Sequence, residues 1–139
     1  MKQVVNPSGV IFNQLVHLDL NTFAEGWWDL LTCMLQDSPK LRFLKLTDNF
    51  YIGKDIPTGW KPPSSVPECL LHSLEAFEWF GYRGKQQNRE MAAYVLKNSI
   101  CLKTATFSPE STRLGKKNRM LKGLASIITA SASVQILCG

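Results

Sequence analysis

Leu41-Arg42-Phe43-Leu44-Lys45-Leu46-Thr47-Asp48-Asn49 decides how the rest of the chain reads. Its pattern is L-x-x-L-x-L-x-x-N. Leu44 and Leu46 stand two residues apart, so on a strand they share one face, while Phe43, Lys45 and Thr47 take the other. A strand this short cannot bury its apolar side alone and needs neighbours of the same kind. The neighbours are present. Leu15-Val16-His17-Leu18-Asp19-Leu20 repeats the pattern upstream, Leu74-Glu75-Ala76-Phe77-Glu78-Trp79 repeats it with aromatics, and Leu102-Lys103-Thr104-Ala105-Thr106-Phe107 repeats it in weaker form. Ser131 to Ile136 reads as a fifth copy, with Val134 and Ile136 in the inward places.

The copies begin at 15, 41, 74, 102 and about 131. Spacings of 26, 28 and roughly 29 suit leucine-rich repeats, whose period is about 20–29 residues. The remaining spacing, 33, contains an insertion. The expected fold is α/β: a leucine-rich-repeat-like solenoid of about five parallel strands, with helices on its convex side. Gly26 to Ser38 reads as one helix, with Trp27, Leu30, Leu31, Met34 and Leu35 on a single face and Pro39 barring its continuation. Gln86 to Asn98 reads as a second, with Met91, Tyr94, Val95 and Leu96 inward. Lys116 to Ala130 reads as a third, with Met120, Leu121, Leu124, Ile127 and Ile128 inward. Residues 50–70 hold four prolines and two glycines, so they read as an extended loop in place of a helix, anchored by Trp60 and Val66.

Composition bounds the function. The chain has 139 residues, the size of one domain, and is 45% hydrophobic, which excludes disorder as its default state. Its net charge of +5 is uneven: residues 1–80 carry 6 basic and 9 acidic side chains, residues 81–139 carry 10 and 2. No apolar run approaches the roughly 20 residues needed to cross a bilayer, and the first residues lack the apolar centre of a signal peptide. Cys33, Cys69, Cys101 and Cys138 are too far apart for a zinc cluster and read as buried reduced thiols. The expected compartment is cytoplasmic or nuclear, with no membrane partner.

Particular motifs carry a family resemblance. Trp60-Lys61-Pro62-Pro63, Val66-Pro67-Glu68-Cys69-Leu70, Leu74 to Trp79, Gly81-Tyr82-Arg83-Gly84, Tyr94-Val95-Leu96-Lys97-Asn98, Cys101-Leu102-Lys103 and Lys116-Lys117 with Met120-Leu121 resemble the plant FBD domain. Phe12 to Leu20, Gly26-Trp27-Trp28 and Ser38-Pro39-Lys40-Leu41 resemble the last leucine-rich repeats of plant F-box/FBD/LRR-repeat proteins. The resemblance implies terminal repeats over 1–50 and an FBD domain over 51–139, continuous with the stack. It also implies the target-recognition end of an SCF-type E3 ubiquitin ligase component. In that family an F-box module docks on the Skp adaptor. No F-box segment is recognisable here, so adaptor binding is expected only where one is present. The resemblance offers no catalytic residues and no cofactor, and the target protein is unknown.

Stacking in register predicts rows of outward side chains. They are His17, Phe43, Ala76, Thr104 and Ser133; then Asp19, Lys45, Glu78, Thr106 and Gln135; then Asn21, Thr47, Phe80, Ser108 and Leu137. The candidate partner-binding residues are His17, Asp19, Phe43, Lys45, Glu78 and Phe80. The acid–base–acid alternation at Asp19, Lys45 and Glu78 suits cross-strand pairing, and aromatics on a concave face suit partner binding. Arg113, Lys116, Lys117, Arg119 and Lys122 form a basic patch. It supports a rival reading, a basic nuclear module contacting nucleic acid or acidic proteins. The absence of interleaved aromatics and of a helix-turn-helix or RRM pattern disfavours nucleic acid. A further alternative is an orphan fragment without independent function. Enzyme chemistry is not expected. His17 and Asp19 share a strand face but nothing sets a nucleophile beside them, and no phosphate loop, G-x-G-x-x-G or H-E-x-x-H occurs.

Overall fold

Each L-x-x-L-x-L copy becomes a strand. The computed structural model describes residues 12–48, 55–57, 60–109, 114–127 and 135–138. In chain order the elements are β1 (His17–Asn21), α1 (Trp27–Asp37), β2 (Phe43–Thr47), α2 (Glu68–His72), β3 (Ala76–Tyr82), α3 (Gln86–Asn98), β4 (Thr104–Pro109), α4 (Leu114–Ala125) and β5 (Gln135–Cys138). The five strands form one sheet in sequential order, and every neighbouring pair is parallel. The architecture is therefore α/β, a parallel sheet with helices in its connections.

One face of the sheet is buried. Leu18, Leu20, Leu44, Leu46, Phe77, Trp79, Ala105 and Phe107 point into a single core, completed by Trp27, Leu31, Met34 and Leu35 of α1, Cys69 and Leu70 of α2, Met91, Ala92, Val95 and Leu96 of α3, and Met120 and Leu124 of α4. The helices thus cover one side only. Aromatics interlock at the centre: Trp27 on Trp79, Phe77 on Phe107, and Tyr82 on both Trp79 and Phe107, with centroids 5.1–6.1 Å apart in edge-on geometry. Burying one such ring stabilises the fold by about 1.5–3 kcal/mol, with up to about 1.5 more for each aromatic pair.

The backbone repeats its own device at each strand entry. The Val16 carbonyl accepts the N–H groups of Arg42 and Phe43, Arg42 those of Glu75 and Ala76, and Glu75 those of Lys103 and Thr104. One carbonyl per copy therefore receives two donors from the next, which fixes the register between strands. Serines cap two helices. Buried Ser99 Oγ donates to the Val95 carbonyl at 2.6 Å, and half-buried Ser73, after α2, donates to the Cys69 carbonyl at 3.3 Å and the Leu41 carbonyl at 2.7 Å.

Four expectations need correction. The fifth strand pairs two residues later than the repeat spacing implied: Gln135, not Ser133, lies opposite Thr104, and Leu137, not Gln135, opposite Thr106. The 50–70 segment is not wholly helix-free, because α2 begins directly after Pro67. A proline at a helix start loses no helical bond, so Pro67 admits a helix after it while barring one through it. The rest of the described loop is irregular, with Ile56 3% exposed and Trp60 and Val66 packed against the core as expected. The last helix starts at Leu114 rather than Lys116. Of the thiols, Cys69 is buried but Cys33 and Cys101 are exposed, since they fall on the outer side of α1 and in the turn before β4.

Candidate functional site

The uncovered side of the sheet carries the predicted rows. Register places His17 beside Phe43 and Phe43 beside Ala76; Asp19 beside Lys45 and Lys45 beside Glu78; Asn21 beside Thr47 and Thr47 beside Phe80. His17 and Asp19 are exposed, Phe43, Lys45 and Glu78 half-buried, and Phe80 is 40% exposed. All six candidate residues thus share one face, spread over three adjacent strands about 4.8 Å apart.

Their contacts differ from a row of ion pairs. The His17 ring stands edge-on to Phe43, with centroids 4.4 Å apart. Asp19 Oδ1 accepts the Thr47 hydroxyl at 2.9 Å, along the diagonal between rows. Among the described residues no ion pair joins Lys45 to Asp19 or Glu78, although register sets them side by side. The alternation that does pair lies one row earlier, where Glu75 meets Arg42 at 3.1 Å and Lys103 at 3.9 Å. Those cations are well exposed, so the pairs contribute about 0–1 kcal/mol each. The imidazole of His17 packs edge-on against Phe43, and the Asp19 carboxylate accepts the Thr47 hydroxyl.

The basic patch is only partly in view. Arg119 and Lys122 are exposed on α4, Lys116 and Lys117 lie in the same helix, and Arg113 falls outside the described residues. α4 contributes Met120 and Leu124 to the core behind the sheet, so it belongs to the helical side, and the patch does not join the six-residue face.

One cluster was not anticipated. Arg83 reaches Asp48 at 3.0 Å and Asp55 at 3.2 Å, and Lys85 reaches Asp55 at 2.9 Å. Asp48 follows β2 and Arg83 follows β3, so the pair ties the carboxyl ends of neighbouring strands. These opposite charges each stand one residue past the end of a strand, beyond the apolar pattern of the copies. Burial acts on two further groups, pushing the Cys69 thiol and the Tyr82 phenol each up to about 12, the latter opposed by Arg89 nearby. Both are neutral at physiological pH. The Cys69 thiol donates to the Leu35 carbonyl.

With this geometry in place, comparison with known proteins is informative. Residues 61–107 match the FBD family model, a span from the loop through α2, β3 and α3 to Phe107 in β4. An F-box/FBD/LRR-repeat protein of Arabidopsis thaliana is 62% identical over 99% of the chain and 34% of its own length. A second Arabidopsis protein of the same description is 47% identical over 94% of the chain and 31% of its own length. The chain carries an FBD domain and is a relative of the F-box/FBD/LRR-repeat proteins. It spans about a third of the length of the curated relatives it matches. No solved structure gives a significant match. The FBD match takes in Glu78 and Phe80 of the open face; His17, Asp19, Phe43 and Lys45 lie upstream of it. No helix among the described residues is long and apolar enough to cross a membrane.

Proposed function

We propose that the chain is a non-catalytic protein-interaction module, the target-recognition end of an SCF-type E3 ubiquitin ligase component. The observation that carries this reading is the asymmetry of the sheet. One face is sealed by helices, while the other leaves Phe80 40% exposed on the central strand beside His17, Asp19, Phe43, Lys45 and Glu78. Exposed aromatics flanked by mixed charge on a rigid sheet suit a protein partner: the rings supply anchor area and the charges supply discrimination. The F-box named in its relatives supports placement in a ligase, with a separate F-box module docking the Skp adaptor and this region choosing the target.

In the same reading the sheet is a leucine-rich-repeat solenoid, with terminal repeats over 1–50 and the FBD domain over 51–139. Support comes from the sequential parallel order and from the carbonyl device repeated at Val16, Arg42 and Glu75, which runs across that boundary without a break.

The test is affinity capture from plant extract, followed by quantitative mass spectrometry. Phe80→Glu with Lys45→Glu is compared with Ile100→Lys, a control at an exposed apolar residue in the turn before β4. Loss of a captured protein in the double variant alone, with an unchanged melting temperature, supports the face. Retention in the double variant, or equal loss in the control, overturns it.

A further inference from the structure

β3 leaves the sheet through an irregularity. Register shifts between Phe80 and Tyr82, and Gly81 takes φ +85°. Such a bulge turns the next side chain to the opposite face. Tyr82 therefore points into the core rather than joining Phe80 outside, and is 1% exposed. Its hydroxyl has no hydrogen-bond partner among the described residues.

Tyr82 also lines a cavity of about 220 Å³, whose other walls are Arg83, Gly84, Arg89, Arg119 and Met120. Three arginines from three separate segments line it, and among the described residues no carboxylate does. Arg83 is balanced by Asp48 and Asp55. Arg89 and Arg119 form no ion pair among the described residues, and both are exposed. Arg89 is positioned by a bond from Nη1 to the Gly84 carbonyl at 2.8 Å. Neither α3 nor α4 carries an acidic residue in its first turn to offset the charge.

Packing holds the arginines in place. Gly84 takes φ +71°, and a Cβ there would come within 3.0 Å of Met120 Cγ, so α4 seats directly on this turn. A Cβ at Gly123 would lie 3.8 Å from Arg89 Cδ, so the two helices meet at this point. The close seating of α4 on the turn at Gly84 favours a preformed site over a chance meeting of surface cations.

We propose that this cavity binds a phosphate monoester dianion through Arg89 and Arg119. Guanidinium groups match the geometry of phosphate oxygens. The volume admits one phosphate group with a short carbon stem. No exposed aromatic lines it for base stacking, which argues against a nucleic-acid strand. The cavity shares no residue with the rows of the open face.

Calorimetric titration of the 139-residue chain tests this, with O-phosphoserine, inorganic phosphate, a phosphoserine peptide and its unphosphorylated form as probes. Saturable binding of one phosphoserine per chain is expected. It should weaken about tenfold in Arg119→Gln, as for the loss of one charge-assisted bond. Lys122→Gln, exposed on the same helix but outside the cavity, should bind as the parent does. Affinity should fall as pH drops through about 6, where the dianion takes up a proton. Tighter binding of the phosphopeptide than of the free ester would make a protein partner the source; equal affinity would make it a small phosphate ester. Equal losses in Arg119→Gln and Lys122→Gln, competition by duplex DNA at matched phosphate concentration, or absence of saturable binding would overturn the proposal.

Discussion

Gly81 and Asp48 touch where β2 and β3 end: a Cβ at Gly81 would lie 2.7 Å from both the Cβ and the carbonyl oxygen of Asp48. Contact at that distance leaves no room for any side chain, and φ +85° already disfavours one. Two effects therefore add at one position. Gly81→Ala is expected to destabilise the fold by about 3 kcal/mol, combining the left-handed penalty with displacement of backbone. Urea denaturation followed by tryptophan fluorescence would measure it. A loss below about 1 kcal/mol would mean that the bulge relaxes freely.

The Arg83 bridge separates a buried ion pair from an exposed one on a single side chain. The Asp48 side chain is 6% exposed and that of Asp55 56%, and Arg83 bonds both. Replacing Arg83 by Met strands a carboxylate out of water and is expected to cost about 3–5 kcal/mol. Asp55→Asn breaks the exposed pairs with Arg83 and Lys85 and should cost about 1 kcal/mol or less. Comparable losses in the two variants would show that Asp48 gains no more from Arg83 than an exposed carboxylate does.

Much of this was legible in the residues. A two-residue alternation of Leu and aromatics set strands β1 to β4 in register to the residue, because slipping one strand by one position would put Leu44 or Phe77 into water. β5 slipped from view because Ser131 to Ile136 has few large apolar side chains to mark its phase. The inward turn of Tyr82 was illegible from alternation alone. Alternation predicts it outward beside Phe80, and only the left-handed conformation at Gly81 reverses it. The arginine-lined cavity depends on that reversal and on α4 packing against Gly84, so neither Arg83 nor Arg89 stood out as a site residue.

Alkaline pH should weaken the fold through two groups. Burial holds the Cys69 thiol at about 12 against an ordinary 9.0, and the Tyr82 phenol at about 12 against 10.0. Below their ordinary values both folded and unfolded chains keep these protons, so nothing is lost. Above them the unfolded chain releases protons that the folded chain retains. Stability therefore falls as pH rises from about 9 towards 12, by up to about 1.4 kcal/mol per unit for each group. Urea midpoints across that range should drop, and the slope should flatten in Tyr82→Phe and in Cys69→Ala. A parallel decline in both variants would place the titration elsewhere.

Thiol chemistry should divide the cysteines in the same way. Cys33 and Cys101 are exposed, whereas Cys69 is buried and neutral, and the thiolate is the nucleophile. Brief alkylation of the native chain, mapped by mass spectrometry, is expected to modify Cys33 and Cys101 and to spare Cys69 until denaturant is added. Early modification of Cys69 would mean that α2 opens readily from the core.

Phe77 and Phe80 lie three residues apart on β3 and should answer substitution in opposite ways. Phe77 is 0% exposed and stands edge-on to Phe107 at 5.7 Å, so Phe77→Ser removes a core ring and buries a hydroxyl in its place, at a cost of about 4 kcal/mol or more. Phe80 sits on the open face at 40% exposure, and Phe80→Ser should shift stability by less than about 1 kcal/mol. Phe43 is intermediate: it is half-buried and braced by His17, so Phe43→Ser should cost about 1–2 kcal/mol. Thermal melts of the three variants rank them. If Phe80→Ser unfolds the chain as Phe77→Ser does, that ring holds the fold together and cannot be reserved for a partner. If its melt is unchanged while capture of the target is lost, the open face is free to bind.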